Sequence, residues 1–319
     1  MIKNICIATD DTYLIGAKVL IASIAKSTSE TAKSELTINL AYLPGKLSKD
    51  NIQKLKQICL KLGLDMKLHA FESEITDEDI FGGSQARKHI SSTTLAKFFF
   101  FDTMMEPFLW LDTDIAVRDG WQQLLEYDSQ LSQERPYLVA GDNPQHFNAG
   151  VMGSLGQSPI KNWKSDIGKH ETSVDQHIFV ETMKDKSVRV DTKFNSISRW
   201  GGELQTENGV VIHYGGPIKP WHLRPSLWEN CRISRCGWHT WFESAEYLSE
   251  FDLEFAKDIR ANKMPSTPQN GSFPVRLFLS SVNRLPKRFI ALSRFGMTRL
   301  RKDREFAFHP ICTTERESR

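Results

Sequence analysis

Two carboxylates separated by one residue are the strongest chemical signal in the chain. Asp112 and Asp114 flank Thr113 directly after the apolar run Phe108–Leu111. Carboxylate oxygens at the tip of a strand can turn toward one cation, and they suit Mg²⁺ or Mn²⁺. An acidic turn without function is the alternative, because this spacing is common by chance. The buried character of the strand favours the metal interpretation, since carboxylates there are costly unless they are paired or metal-bound.

A second motif has the form H-x-x-G-x-x-K-P-W and spans residues 213–221. His213 follows the β-like run 210–212 and can offer an imidazole to a divalent cation. Gly216 lets the backbone approach a ligand closely, and Lys219 supplies a point charge for a phosphate. A Gly/Pro turn with a surface His and Lys is the alternative, but so dense a string favours a binding site.

Amide and carboxylate side chains suited to sugar hydroxyls form a third motif. Asn148 and Ala149 belong to the Phe147–Gly150 turn, and Asp175 with Gln176 stands near the start of a predicted helix. An ordinary turn and an ordinary helix N-terminus explain the same residues, so this motif alone does not identify a site.

The fourth motif lies just past the first predicted strand. Asp10 can accept a hydrogen bond from a uracil or a ribose, and Tyr13 can stack on a base. Taken alone, an Asx turn that caps the following helix is the better interpretation of Asp10.

The elements expected to position these motifs alternate between strand and helix, which predicts a largely parallel α/β sheet with helices on both faces. Ligands in such sheets bind beyond the carboxyl ends of the strands, so the acidic turns after the first and fourth strands should share one rim. Strands are predicted at 4–8, 36–43, 67–71, 108–111, 136–140 and 210–214, and helices at 17–25, 52–62, 93–101 and 172–183.

The alternation stops near residue 222, which divides the chain into a domain at 1–221 and a mainly helical, basic C-terminal extension at 222–319. Residues 264–271 have the composition of a linker. From Arg276 to Lys302 the chain carries eight basic and no acidic residues, and apolar residues recur every three or four positions. This pattern is typical of an amphipathic helix that lies on an anionic membrane surface, although the same stripe could pack on the catalytic domain.

Composition excludes several classes of protein. Across 319 residues, 41 Lys and Arg stand against 39 Asp and Glu, whereas a dedicated nucleic-acid binder would be clearly basic. No apolar run is long enough to span a membrane, and the N-terminus has no signal-peptide pattern. Five scattered cysteines indicate reduced thiols rather than a disulfide framework, with Cys231 and Cys236 only a loose match to zinc spacing. We therefore expect a cytoplasmic protein, associated at most peripherally with the membrane.

Together and in this order, the four motifs resemble glycosyltransferase family 8, a group of retaining enzymes that use nucleotide sugars. The resemblance covers about residues 3–221 and implies the GT-A fold, a Rossmann-like sheet with a divalent-cation site. It implies a UDP-sugar donor and transfer of glucose or galactose to a glycan, a lipid-linked saccharide or a glycoprotein. It also implies that Asp112, Asp114 and His213 hold Mn²⁺ or Mg²⁺.

The resemblance assigns the remaining site residues as well. Asp175, Gln176 and Lys219 are the expected catalytic residues. The expected donor-binding residues are Asp10, Thr12, Tyr13, Lys97, Asp112, Thr113, Asp142, Asn148, Ala149, Gly216 and Lys219. Two positions depart from the family pattern: Thr12 replaces an Asn, and Lys97 replaces an Arg, which keeps the charge but loses the bidentate fork.

Because Gln176 is a poor nucleophile, the resemblance favours attack on the same face that the departing diphosphate leaves. Other classes fit less well. A haloacid-dehalogenase phosphatase would place its acidic pair near the N-terminus, and a sugar-nucleotide pyrophosphorylase would need a basic, Gly-rich loop where Ala8–Thr12 is acidic. A catalytically silent, sugar-nucleotide-binding scaffold on the same fold is the alternative function.

Overall fold

The computed structural model describes residues 1–81, 90–141, 147–167, 174–198, 208–215, 219–222 and 237–261. Within them, strands and helices alternate through the first half of the chain, as the sequence predicts. The strands are β1 Asn4–Ala8, β2 Thr37–Tyr42, β3 Asp65–Ala70, β4 Phe108–Leu111, β5 Ile115–Val117, β6 Tyr137–Ala140, β7 Val151–Ser154, β8 Ser187–Val190, β9 Ser196–Ile197 and β10 Val211–His213. The α-helices are α1 Leu14–Lys26, α2 Glu30–Lys33, α3 Lys49–Lys61, α4 Asp77–Phe81, α5 Ala96–Thr103, α6 Trp163–Asp166, α7 Gln176–Met183, α8 Gly237–Ser249 and α9 Leu253–Arg260.

Seven strands form the central sheet, in the order β3-β2-β1-β4-β7-β6-β8. Strand β7 is antiparallel to both of its neighbours, and every other adjacent pair is parallel. Strands β1 and β4 are direct parallel neighbours, with Cys6 opposite Trp110. Their carboxyl ends therefore lie at one edge, which confirms the predicted shared rim of the two acidic turns.

Strands β1 and β4, at the centre of this sheet, are buried on both faces, as in a helix-covered parallel sheet. In β1, Ile5 and Ile7 belong to one core cluster, whereas Cys6 and Ala8 belong to the other. Helices α1, α3, α8 and α9 contribute to the first cluster, and helices α5 and α7 contribute to the second. The predicted α/β class with helices on both faces is thus confirmed.

A second sheet of three short strands, in the order β5-β10-β9, lies beyond the end of β4. Strand β10 runs antiparallel to β5, with His213 opposite Ile115. The backbone amide of Tyr214 donates to the carbonyl of Asp114 at 2.8 Å. This pairing returns the chain from residue 213 to the acidic turn, although nearly a hundred residues separate them in sequence.

All four predicted helices start at a residue other than the predicted one, and two of these differences bear on the site. The helix predicted at 93–101 begins as a 3₁₀ turn, Ser92–Leu95, and becomes α-helical at Ala96. The helix predicted from residue 172 begins at Gln176, with Asp175 at its N-cap. The Asp175 side chain makes no capping hydrogen bond there, because it is an ion-pair partner of Lys97 instead.

The chain beyond residue 222 is helical in the part that the structure describes, namely 237–261. Helix α8 packs on α1 through the same core cluster, to which Trp241, Phe242 and Leu248 contribute. The division of the chain at residue 222 stays a prediction. Three predicted features lie outside the described residues: the proposed linker, the basic segment 276–302 and the Cys231–Cys236 pair. Among the residues that the structure does describe, no helix is long and apolar enough to cross a bilayer.

Candidate functional site

The acidic turn after β4 lies at the centre of a cluster of charged side chains. Oxygen and nitrogen atoms of Asp112, Asp114 and His213 lie within 4.8 Å of one another. His213 Nε2 is 3.2 Å from Asp114 Oδ1 and 3.9 Å from Asp112 Oδ2. The structure thus brings together the three residues that the resemblance assigns to a metal.

This donor set is chemically suited to a divalent cation. Two carboxylates and one imidazole are ordinary ligands of Mn²⁺ and are compatible with Mg²⁺. The imidazole is 4% exposed, so water contributes little to its solvation.

The second residue of the acidic pair has a buried ammonium partner. Lys219 Nζ donates to the Asp114 carboxylate and, at 2.8 Å, to the Tyr214 carbonyl. Burial by itself would raise the pKa of Asp114, but the charges of Lys219 and His213 and their hydrogen bonds hold it well below its ordinary value. Asp114 is therefore a carboxylate at any pH of interest, as a metal ligand must be.

The first residue of the pair has a different ammonium partner. Lys97 Nζ lies 3.1 Å from Asp112 Oδ1 and 2.7 Å from Asp175 Oδ2, and its side chain is 5% exposed. Burial alone lowers the pKa of Lys97, but the two carboxylates outweigh that effect and raise it above its ordinary value. Lys97 is therefore a charged bridge between the acidic turn and the N-terminus of α7.

Amide side chains join α7 to the turn before β7. Asn148 Nδ2 donates to Gln176 Oε1 at 3.2 Å, and the Gly150 amide donates to Asn148 Oδ1 at 2.8 Å. Ala149 is buried between them. Together with Asp175, these residues form one contiguous group beside Asp112, whose backbone amide donates to the Gly150 carbonyl at 2.9 Å.

Two glycines permit the close approach of these elements. A Cβ on Gly150 would lie 2.3 Å from His213 Cε1, so a side chain there would displace the imidazole. A Cβ on Gly16, in α1, would lie 2.5 Å from the carbonyl oxygen of Thr113. Thr113 is itself buried, packed at this contact between α1 and the acidic turn.

The motif after β1 lies on the neighbouring strand end. Asp10 Oδ1 accepts from the backbone amides of Thr12 and Tyr13 at 3.0 and 2.9 Å, the Asx turn expected from sequence. Asp10 Oδ2 accepts from Ser91 Oγ at 2.7 Å and from Thr93 Oγ1 at 3.2 Å. This carboxylate therefore already has four protein donors.

The aromatic ring of Tyr13 lies between that turn and the acidic pair. It meets Trp221 edge to face, with ring centroids 5.8 Å apart. Burial, followed by the charges of Asp114, Asp10 and Asp112, raises the pKa of Tyr13 above its ordinary value. Tyr13 is thus a neutral phenol at the edge of the site.

Three residues at the site carry no recognisable signal in the sequence. Asn195 hydrogen-bonds to His213, Trp110 Nε1 donates to Asp112 Oδ1 at 2.8 Å, and Ser91 supports Asp10. Asn195 and Ser91 reach the site through tertiary contacts, whereas Trp110 stands two residues before Asp112 in the apolar strand. Of the predicted residues, Asp142 and Gly216 lie outside the described part of the chain.

Comparisons with known proteins agree with this geometry. Residues 4–154 match the model of glycosyl transferase family 8. The chain is 24% identical over 262 residues to a lipopolysaccharide 1,2-glucosyltransferase of Escherichia coli, covering 69% of this chain and 73% of the relative. It is 22% identical over 259 residues to a lipopolysaccharide 1,3-galactosyltransferase of Salmonella typhimurium, with the same two coverages, 69% and 73%.

The fold is also that of a solved galactosyltransferase. The galactosyltransferase LgtC, solved with donor and acceptor sugar analogues, aligns with a TM-score of 0.57 and 21% identity, over 80% of this chain and 99% of that one. The mixed, mostly parallel sheet is therefore the GT-A fold. The match to the family model covers β1 to β7, which include the acidic turn and the Asn148 turn, so the protein is a glycosyltransferase whose residues 4–154 are similar to family 8.

Proposed function

We propose that the protein transfers glucose or galactose from a UDP-sugar to a saccharide acceptor, with retention of configuration at the anomeric carbon. The observation that carries this proposal is the convergence of Asp112, Asp114 and His213 at the carboxyl edge of β4, with Lys219 beside them. Three cation ligands next to a buried ammonium suit a nucleoside diphosphate, which carries negative charge and binds divalent cations.

Asp112, Asp114 and His213 would hold the cation, Mn²⁺ or Mg²⁺. When bound, such a cation neutralises charge on the diphosphate and so favours its departure. Lys219 would add a second positive charge at the same leaving group. The Lys219 side chain now hydrogen-bonds Asp114, so it has only to exchange one oxygen partner for another.

The group around α7 would contact the transferred sugar. Asn148, Ala149, Asp175 and Gln176 lie together beside Asp112, and amides with a carboxylate match the hydroxyls of a hexose. Asp10 and Tyr13, with Thr12 between them, would meet the uridine. Because Asp10 already accepts four hydrogen bonds, its main contribution would be to fix the shape of that pocket.

The transfer step needs no covalent enzyme intermediate. Asp175 is paired with Lys97 at 2.7 Å, which restrains the carboxylate and weakens it as a nucleophile. The acceptor oxygen would form its bond to the anomeric carbon as the bond to the diphosphate oxygen breaks. UDP would leave with the bonding electron pair, and the acceptor proton would pass to a departing phosphate oxygen on the same face.

The relatives suggest the class of acceptor. Two of them are named as lipopolysaccharide glucosyl- and galactosyltransferases. We therefore favour a lipid-linked saccharide of lipopolysaccharide type, with other glycans and glycoproteins as the alternatives. An acceptor of that kind is anchored in a membrane, which gives the basic segment 276–302 a function: peripheral docking of the enzyme on an anionic membrane face.

The test is release of UDP from UDP-glucose and UDP-galactose, measured with and without Mn²⁺. We expect cation-dependent release from one of the two donors, and Asp114→Asn should abolish it while the variant still folds and unfolds cooperatively. Asp185→Asn, on an exposed turn, is the matched control and should be fully active. Near-normal turnover by Asp114→Asn would contradict the metal assignment, and UDP binding without any release would indicate the silent scaffold.

A further inference from the structure

Asn195 is a buried residue that the proposed chemistry does not yet use. It ends the 3₁₀ turn Thr192–Asn195 just before β9, which pairs with β10 beside His213. Its side-chain oxygen lies 3.1 Å from His213 Nδ1. Both residues are less than a tenth exposed, at 8% and 4%, so water does not compete for this contact.

The orientation of the Asn195 amide follows from its other contacts. Its Nδ2 atom lies 3.0 Å from the backbone oxygen of Asn148 and 3.3 Å from the side-chain oxygen of the same residue. Only the NH₂ group can donate to two oxygens, so the amide oxygen must face His213. The imidazole therefore carries a proton on Nδ1, which leaves Nε2 as the nitrogen that a cation held by Asp114 would meet.

The same contacts connect Asn195 to the sugar-facing group. Asn148 accepts from Asn195 and donates to Gln176 Oε1 at 3.2 Å. Gly150 makes room for both His213 and Asn148, because a Cβ there would lie 2.3 Å from His213 Cε1 and 2.8 Å from Asn148 Oδ1. A chain of amides thus runs from Gln176 to the imidazole without a break.

We propose that Asn195 is a positioning residue that fixes His213 in its Nδ1-protonated tautomer, so that Nε2 is the cation ligand. The inference rests on the proposed function, because it concerns the same cation. A histidine ligand whose second nitrogen donates to an oriented acceptor loses no freedom on binding, and such outer partners typically contribute roughly 10- to 100-fold in metal affinity. Asn195 touches neither the cation nor the diphosphate in this scheme.

Two readouts test this role in the full-length protein. The first is Mn²⁺ affinity, from the signal of free Mn²⁺ in electron paramagnetic resonance. We expect Asn195→Ala and Asn195→Leu to weaken binding roughly 10- to 100-fold. Asn195→Asp keeps an oxygen acceptor for Nδ1 and should retain more affinity than either.

The second readout is the tautomer itself, from long-range ¹H–¹⁵N spectra of ¹⁵N-histidine protein without metal. The His213 signal is assigned by its loss in His213→Gln. Wild type and Asn195→Asp should show protonated Nδ1. Asn195→Ala and Asn195→Leu should show a mixture of tautomers.

The chain contains a matched control pair. His69 lies on the edge strand β3, three strands away from β4. Its Nε2 atom is 3.0 Å from Asn39 Oδ1, and the Asn39 amide donates to Asn4 Oδ1 at 3.2 Å. Asn39→Ala should alter the His69 spectrum and leave Mn²⁺ affinity within about twofold of wild type.

Several outcomes would overturn the inference. The first is a wild-type Mn²⁺ affinity in Asn195→Ala and Asn195→Leu. The second is a weakened Mn²⁺ affinity in these variants with an unchanged His213 tautomer. The third is an equal loss of Mn²⁺ affinity in Asn195→Ala and Asn195→Asp. Failure of the proposed metal site gives a different result, since His213→Gln itself would then bind Mn²⁺ as tightly as wild type.

Discussion

At the scale of single residues, the site is organised by two buried lysines that hold three carboxylates. Lys219 pairs with Asp114, whereas Lys97 bridges Asp112 and Asp175. Buried carboxylates without such partners would repel each other and carry a desolvation cost of several kcal/mol. Binding of a sugar-nucleotide donor would affect the partners of the two lysines differently. A diphosphate offers Lys219 new oxygen partners, but Lys97 is already held by two carboxylates.

This difference leads to a prediction for Lys219→Ala. Removing the ammonium frees Asp114 of a competitor for its oxygens, so Mn²⁺ should bind at least as tightly as in wild type. Turnover should fall because one positive charge at the leaving group is gone, by roughly 100-fold or more in kcat if it acts as one transition-state donor. The measurement is a kcat and KM determination with UDP-sugar, alongside a Mn²⁺ titration.

Lys193→Ala is the control for loss of a lysine, since Lys193 is a partly exposed residue whose side chain donates to Gln123 at 3.3 Å. Its kinetics should match wild type. A rise in donor KM without a fall in kcat for Lys219→Ala would show that Lys219 binds the ground state and the transition state equally.

Sequence reasoning located most of these residues but not their partners. Asp112, Asp114, His213 and Lys219 stand in motifs whose combination and order resemble glycosyltransferase family 8, and that resemblance singles them out. Asn195 stands in an unremarkable segment and gains its place only because β9 pairs with β10. Such a partner depends on long-range pairing, which local sequence does not encode.

At the scale of elements, the last described helices are attached to the first helix by a buried ion pair. Lys18 Nζ, in α1, lies 2.7 Å from Asp252 Oδ2, and both side chains are 9% exposed. Asp252 also caps α9, accepting from the amides of Glu254 and Phe255 at 3.2 and 3.1 Å. One carboxylate therefore connects α9 to α1.

The same carboxylate predicts how stability depends on pH. Burial raises the pKa of Asp252, but the Lys18 hydrogen bond and charge, with the two cap amides, bring it below its ordinary value. A carboxylate whose folded-state pKa is lowered contributes its full stabilisation above the unfolded-state pKa of about 3.9. That stabilisation is lost as the pH falls through the folded-state pKa. Asp252→Asn keeps a capping side chain but loses the charge.

We therefore expect Asp252→Asn to reduce the free energy of unfolding at pH 7 by roughly 3–5 kcal/mol, as for other broken buried pairs. The gap to wild type should shrink as pH falls from about 5 toward 2. Urea denaturation across that range measures it. Glu254→Gln, which removes the exposed pair with Lys54, is the control and should change stability by less than about 1 kcal/mol. A gap that does not vary with pH would refute the role of the charge.

The elements themselves were predictable in proportion to their length. Strands β1, β2 and β4 and helix α3 follow from apolar runs and helical spacing in the sequence. Strand β5 has three residues and β9 has two, too few for any periodicity to register. The antiparallel direction of β7 could not be predicted either, because an apolar strand has the same sequence pattern in parallel and in antiparallel pairing.

At the scale of the whole molecule, the catalytic cluster and the basic segment have different roles in the proposed function. The cluster lies at the carboxyl edge of the central sheet and would meet the soluble donor. The basic segment 276–302 lies outside the described residues and has eight Lys or Arg without an acidic residue. Each such charge near an anionic surface contributes roughly 1 kcal/mol at low salt, enough together for peripheral attachment.

The last prediction concerns that attachment. The full chain should sediment with liposomes that contain anionic lipid and remain in solution with neutral ones. Added salt should release it, because screening shortens the range of the attraction. Replacing Arg284, Lys287 and Arg288 with Glu changes the segment's charge by six units and should abolish sedimentation. Replacing the exposed Lys49, Lys56 and Lys67 with Glu makes the same change in net charge on the described domain and should leave sedimentation intact. Equal loss in both variants would mean that net charge, rather than this segment, governs binding, and sedimentation indifferent to lipid charge would exclude docking altogether.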